Sequence, residues 1–316
     1  MPVIEVAKPE LHLGRLAIQS AVRRRSLIHT RFAPRSLQQA LTRIEADVFV
    51  ARRVYMAEAA LDAERVPPRD RLVVVADVLE STVLRLRGPL ASVEARRTRH
   101  DEIRCVRAAS RVAFLSDCER DELASHAPGS SRLDLVLPPA ESPAPLDTQT
   151  AVFVGDRRAL ANEEALRHLL AIWPNITRKA PNARLLIVGE PGQREPRREL
   201  QGVMWSGFVD DLDKVWRSAA VLLAPVATGG GVRVKVLDAA RHGVPVVGTR
   251  AAIGSTDSYL PLAAYSAGDD LVDAAVGLLT DLAARRRLGA DLYEANRTLN
   301  ARGFVEEQVA SLLAPG

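Results

Sequence analysis

The chain has 316 residues, 47% hydrophobic and 26% charged, which suits about two folded domains and excludes a disordered chain. Its net charge of +4 comes from 43 basic and 39 acidic residues, and only Lys8, Lys179, Lys214 and Lys235 are lysines; the other basic residues are arginines. Aromatic residues make up only 4%, too few to interleave with a basic stripe, so no nucleic acid is expected as a partner, whereas contact with an acidic small molecule or a membrane surface stays open.

Along the N-terminal half, amphipathic stretches at residues 34–45, 54–63, 92–109 and 118–125 predict helices. Apolar runs at 46–50, 72–76, 112–115 and 133–137 predict buried strands between them. Between Met1 and Pro34 there is one glycine, Gly14, so no phosphate-cradling turn opens this half. Prolines at 138, 139, 143 and 145 deny both helix and central strand and mark residues 137–147 as a linker. Beyond it, strands are predicted at 151–154, 184–188, 203–206, 221–224 and 246–248, and helices at 163–172, 213–219, 232–242, 271–279 and 283–297. The helix at 232–242 stops at Gly243, with Pro245 just beyond. Continuously apolar strands alternating with helices predict a parallel sheet covered on both faces, which binds ligands at its carboxyl ends.

One segment concentrates the chemistry. A strand ends at Pro225, and Gly229, Gly230 and Gly231 lead into a helix. Glycine allows a ligand to approach the backbone closely, and free N–H groups at Gly231, Val232 and Arg233, together with the helix dipole, suit an anion. At helical spacing Gly231, Lys235, Asp238 and His242 share one face. That places a cation suited to phosphate and a carboxylate suited to a pair of sugar hydroxyls behind the anion site. The same residues read equally as a flexible turn and a surface i, i+3 pair contributing about 0.2–0.5 kcal/mol.

Four ordered stretches resolve this ambiguity through a resemblance. Val152-Phe-Val-Gly-Asp156 with Asn162, then residues 181–189, 205–212 and 229–249, resemble the nucleotide-sugar-dependent glycosyltransferases of the GT-B fold. The similarity is to the large retaining group that includes mannosyl- and glucosyltransferases (family GT4). Weaker landmarks lie at 46–50, 74–81 and 113–117, and the resemblance covers roughly residues 34–300. It implies an α/β, GT-B-like architecture of two facing Rossmann-like domains with mostly parallel sheets, the N-terminal one truncated. Residues 1–143 would form the acceptor side, 144–302 would bind the nucleotide sugar, and 303–316 would return to the first domain.

The implied activity is transfer of a sugar from a nucleotide diphosphate sugar to an acceptor hydroxyl with retention, without a further cofactor. Asp238 occupies the place of the glutamate that holds the donor ribose. Gly229, Gly230, Gly231, Val232 and Arg233 lie where the diphosphate is met, and Gly207, Phe208 and Val209 lie near the base. Arg157 and Lys235 are the candidate diphosphate cations, and Lys235 and Asp238 are the candidate catalytic residues.

The departures from the family pattern are specific. Gly230 and Asp238 stand where two glutamates are common, Ala76 replaces a histidine, and Pro139-Ala140 replaces Asn-Gly. The first strand and glycine loop of the N-terminal domain are not visible. Three readings stay open: a minimal active enzyme, one completed by a partner protein, and a non-catalytic nucleotide-sugar-binding subunit. An epimerase of the same fold would need cleft acids and histidines that the sequence does not place.

Arg157 and Arg158 also read as a solvated basic loop, and Phe208 as a core residue. His29, His100, His126 and His242 read as surface or helix-end residues, and Cys105 and Cys118 as buried apolar ones. Two cysteines exclude a disulfide framework and suit a reducing, cytoplasmic setting. Zinc-type cysteine spacing, His-Glu-x-x-His and Asp-x-Asp are absent, so no metal is expected. No apolar run reaches the about 18 residues of a membrane span, and Met1–Arg15 does not read as a secretory signal.

Overall fold

A computed structural model describes residues 13–63, 72–85, 87–88, 91–127, 129–192, 200–227 and 234–314. Among these, one compact unit runs to Asp134 and takes in Glu306 onward, and a second runs from Leu135 to Val305. In the first unit the elements are α1 (Leu13–Arg23), α2 (Leu27–Arg31), α3 (Arg35–Leu41), β1 (Phe49–Arg52), α4 (Ala57–Leu61) and β2 (Leu72–Ala76). They continue with α5 (Glu80–Arg85), α6 (Ser92–Ala108), β3 (Arg111–Phe114), α7 (Asp117–Leu123) and β4 (Ser131–Arg132). The sheet order is β1-β2-β3-β4, parallel throughout. Its centre, β2, is a Leu-Val-Val-Val-Ala run, and β-branched side chains pack well on such a pleated, two-sided surface.

The predicted strand at 133–137 does not form; pairing with β3 is confined to β4 and a bond from the Leu133 N–H to Phe114 O at 2.8 Å. Side chains satisfy the following backbone instead. Gln308 accepts from the Asp134 N–H at 2.9 Å and donates to its carbonyl at 3.1 Å. Tyr259 donates to Leu135 O, and Asn296 and Asn300 both donate to Leu137 O.

One predicted burial state is also corrected: Cys118 is exposed rather than buried. His29 lies in the last turn of α2, fully buried. His29 belongs to an ionic knot: its Nδ1 lies 2.9 Å from Glu58 Oε2, and Arg104 and Arg25 both reach the same buried carboxylate.

The second unit holds β5 (Thr150–Val154), α8 (Leu160–Lys179), β6 (Arg184–Val188), β7 (Val203–Gly207), α9 (Leu212–Ser218), β8 (Val221–Ala224) and α10 (Val234–Arg241). It continues with β9 (Val246–Thr249), α11 (Arg250–Ile253), β10 (Ala264–Tyr265), α12 (Asp269–Thr280) and α13 (Leu282–Ala301); α14 is Phe304–Leu313. The helix predicted to end at 172 runs through Pro174 to Lys179, its Trp173 and Ile176 buried on the sheet. The six strands are parallel in the order β10-β9-β8-β5-β6-β7. Continuous apolar runs such as Val221–Ala224 are buried at every position because helices cover both faces. The proline-rich stretch read as a linker is bound to this unit: Ala140 and Ala144 donate to Arg241 O and His242 O, and Tyr293 donates to Ala140 O.

The ionic knot predicts a pH signature. Burial alone would raise the Glu58 pKa, but hydrogen bonds from His29 and Arg104 outweigh it and bring it from 4.5 to about 2. A depressed carboxylate stabilises the fold above its unfolded value and loses that contribution as pH falls through the folded value. Acid titration of unfolding stability should therefore show a loss of roughly 3 kcal/mol between about pH 4.5 and 2 that is absent in Glu58→Gln.

Candidate functional site

The strand order of the second unit reverses between β5 and β8: later strands step one way from β5 through β6 to β7, and the other way from β8 to β10. The helices that follow β5 and β8 therefore lie on opposite faces of the sheet, and the crevice at such a reversal is the usual ligand site of a doubly wound sheet. Glycines let the strand ends approach there. A Cβ on Gly189, whose φ is +133°, would lie 2.1 Å from Gly155 O, so no other residue fits. A Cβ on Gly155 would lie 2.8 Å from Asn162 Cγ. Backbone bonds knit the same ends: the Gly155 N–H to Val188 O at 2.9 Å and the Gly189 N–H to Gly207 O at 2.8 Å.

Across the crevice, Lys235 in the first turn of α10 donates from Nζ to Asn162 Oδ1 in the first turn of α8 at 3.0 Å. The ammonium also lies 5.0 Å from the Phe153 ring centre. Asn162 in turn donates to Asp156 O at 2.9 Å. One polar relay thus joins the β5 loop to the helix that follows β8.

Arg157 and Arg158 part company. Arg158 is exposed and forks onto Asp156, which holds that carboxylate below its ordinary range. Arg157 is only 5% exposed and lies with its guanidinium carbon 4.8 Å from the Trp205 ring centre. Among the described residues its Nε and Nη1 find no partner, and neither does Oε2 of half-buried Glu163. Gly192 closes over both, since a Cβ there would lie 2.7 Å from Glu163 Oε2 and 3.4 Å from Arg157 Cβ. Unpaired buried donors and acceptors of this kind are rare and costly in a folded protein.

Asp238 faces elsewhere. Its Oδ2 accepts from Trp216 Nε1 at 2.8 Å and its Oδ1 from Arg241 Nε at 2.8 Å. Arg241 and His242 both continue to Asp213 Oδ1, at 2.5 and 3.1 Å. The i, i+3 spacing puts Lys235 and Asp238 on neighbouring turns, yet one turns to α8 and the other to α9. Trp216, Trp205, Glu163 and Arg241 carry no sequence signal for these partnerships. At the end of β7, Gly207 has φ +68°, and Phe208 is 65% exposed rather than a core residue. Val209 packs against the core from its edge. Gly229, Gly230, Gly231, Val232 and Arg233 lie outside the described residues.

Among the described residues, the one trio of metal-ligand type is His29, Glu58 and Cys105 in the first unit. Two guanidiniums already occupy its carboxylate, which leaves no favourable place for a cation. Trp216 is fully buried, so Asp238→Ala strands its indole N–H. Urea unfolding should show a loss of about 1–3 kcal/mol, and unchanged stability would contradict the structural role of Asp238.

Residues 148–281 match the family described as "Glycosyl transferases group 1". No curated protein matches the chain by sequence. Among solved structures, sucrose-phosphate synthase from Thermosynechococcus elongatus superposes with a TM-score of 0.67 at 18% identity, over 91% of this chain and 79% of that one. A UDP-forming α,α-trehalose-phosphate synthase from Burkholderia xenovorans gives 0.68 at 13%, over 91% and 77%. TarM from S. aureus, solved with UDP, gives 0.71 at 11%, over 88% of this chain but only 58% of its own. Identities this low carry the fold, while the family match is confined to the second unit. By fold the chain is a GT-B-fold protein, and its residues 148–281 are similar to the group 1 glycosyltransferases.

Proposed function

We propose that the chain is a glycosyltransferase that uses a nucleotide diphosphate sugar and transfers the sugar to an acceptor hydroxyl with retention. The observation that carries this reading is the set of groups at the carboxyl ends of β5 and β8. Lys235 and Asn162 span the crevice, and Arg157, in the loop after β5, keeps two buried guanidinium nitrogens without a partner among the described residues. A bound diphosphate or base would supply the missing acceptors. In a retaining transfer the chemistry asked of this unit is stabilisation of the departing diphosphate, which preorganised donors and cations provide without a protein nucleophile. Lys235 would serve the diphosphate with the Gly229–Arg233 segment, and Gly207, Phe208 and Val209 would meet the base. A cytoplasmic setting, with nucleotide sugar as donor and both cysteines unpaired, completes the reading. The acceptor could be a glycan, lipid, small molecule or protein.

A second reading, a non-catalytic nucleotide-sugar-binding subunit, is favoured by one observation: both oxygens of Asp238 are committed to Trp216 and Arg241. Calorimetric titration with UDP, GDP, ADP and dTDP, followed by their sugar conjugates with a hydrolysis assay, separates the two. Saturable binding with slow sugar release is expected for the enzyme, and binding without release for the subunit. Lys235→Ala should weaken nucleotide binding by about 10- to 150-fold, the equivalent of one charged hydrogen bond. Failure of all four nucleotides to bind would overturn both readings.

A further inference from the structure

Between Glu10 and Glu45 the chain carries seven arginines and no acidic residue. Helix α1 lies in this segment with its apolar side turned outward. Leu16 and Ser20 face the protein, whereas Leu13, Ile18 and Val22 are 81%, 67% and 78% exposed, with Ala17 and Ala21 exposed between them. At about 100° per residue these five positions form one continuous arc covering about half the helix circumference. Exposed Arg15 sits at its edge, and Ile18 and Val22 also line a groove of about 630 Å³ with Arg23 and Arg35. Arg23 and Arg25 reach Asp62 and Glu58, but Arg15, Arg24, Arg31 and Arg35 meet no acidic side chain among the described residues.

We propose that α1 and its arginine flank are a docking face for an anionic lipid bilayer. The helix would lie in the headgroup plane with Leu13, Ile18 and Val22 in the acyl boundary and the guanidiniums on lipid phosphates. The charge selects this occupant. A second copy packed symmetrically on the same face would set Arg15, Arg24, Arg31 and Arg35 against their own counterparts. A nucleic acid would take the arginines and leave the apolar arc in water. An anionic bilayer meets both halves of the surface at once. The arc spans only 11 residues, so attachment is reversible and depends on lipid charge. This face lies in the first unit and does not depend on the transferase reading.

Flotation of the full chain with phosphatidylcholine vesicles, with and without phosphatidylglycerol, tests the proposal. Binding at least about tenfold tighter to the anionic vesicles is expected, weakening as salt is raised. Ile18→Ser with Val22→Ser changes only exposed positions and should release the protein from anionic vesicles while its thermal melt is unchanged. Arg24→Glu with Arg31→Glu should do the same through charge. Equal binding to both vesicle types, no binding, or binding that survives both double variants overturns the proposal. So does a concentration-dependent dimer that the serine variant dissolves while vesicles stay unbound.

Discussion

The reversal of winding between β5 and β8 is the constraint on which the second unit depends. Right-handed crossovers from one strand to the next leave a parallel sheet few ways to bury both faces, and reversing direction once covers both. The cost is a gap where two neighbouring strands send their loops to opposite faces. The close glycines and the Lys235–Asn162 bond lie beside that gap, while Arg157, in the loop after β5, turns its guanidinium onto Trp205 of β7. The strands beneath are apolar core, with β8 buried at every residue and two tryptophans, Trp173 and Trp216, sealed beneath the helices.

The glycines and the polar relay belong to one design. Gly189 and Gly155 bring the ends of β5 and β6 so close that a single methyl would collide with a carbonyl. That approach draws the β5 loop inward and lets the Asp156 carbonyl meet Asn162, which in turn receives Lys235. Asn162 thereby fixes the position of the Lys235 ammonium at the start of α10. Asp238, one turn on, is held differently. Its charge is consumed inside, between Trp216 and Arg241, where it ties α10 to α9.

Much of the fold was legible because the strands that matter are short continuous runs of branched residues. The expected bounds at 72–76, 184–188 and 221–224 coincide with β2, β6 and β8. The misses have physical causes. Residues 133–137 look like a strand, but side-chain amides and a tyrosine hydroxyl satisfy the backbone that a neighbouring strand would have taken. Pro174 looks like a helix end, yet Trp173 and Ile176 hold the helix on the sheet past it. At the site, spacing singled out Lys235 and the resemblance pointed to the β5 loop, but neither could tell where Asp238 points, because its partner Trp216 lies 22 residues away on α9. Arg157 and Arg158 are indistinguishable as letters, and only the position of Trp205 separates the buried one from the solvated one.

On the proposed reading, the crevice between β5 and β8 holds the nucleotide diphosphate. Hydrogen–deuterium exchange of the full chain, with UDP and with GDP in parallel, tests it most directly. Slowed exchange on nucleotide binding is expected in residues 155–163 and 234–238, the loop after β5 and the first turns of α8 and α10. Nucleotide binding that leaves these amides unchanged, or protects another part of the chain in their place, would contradict it.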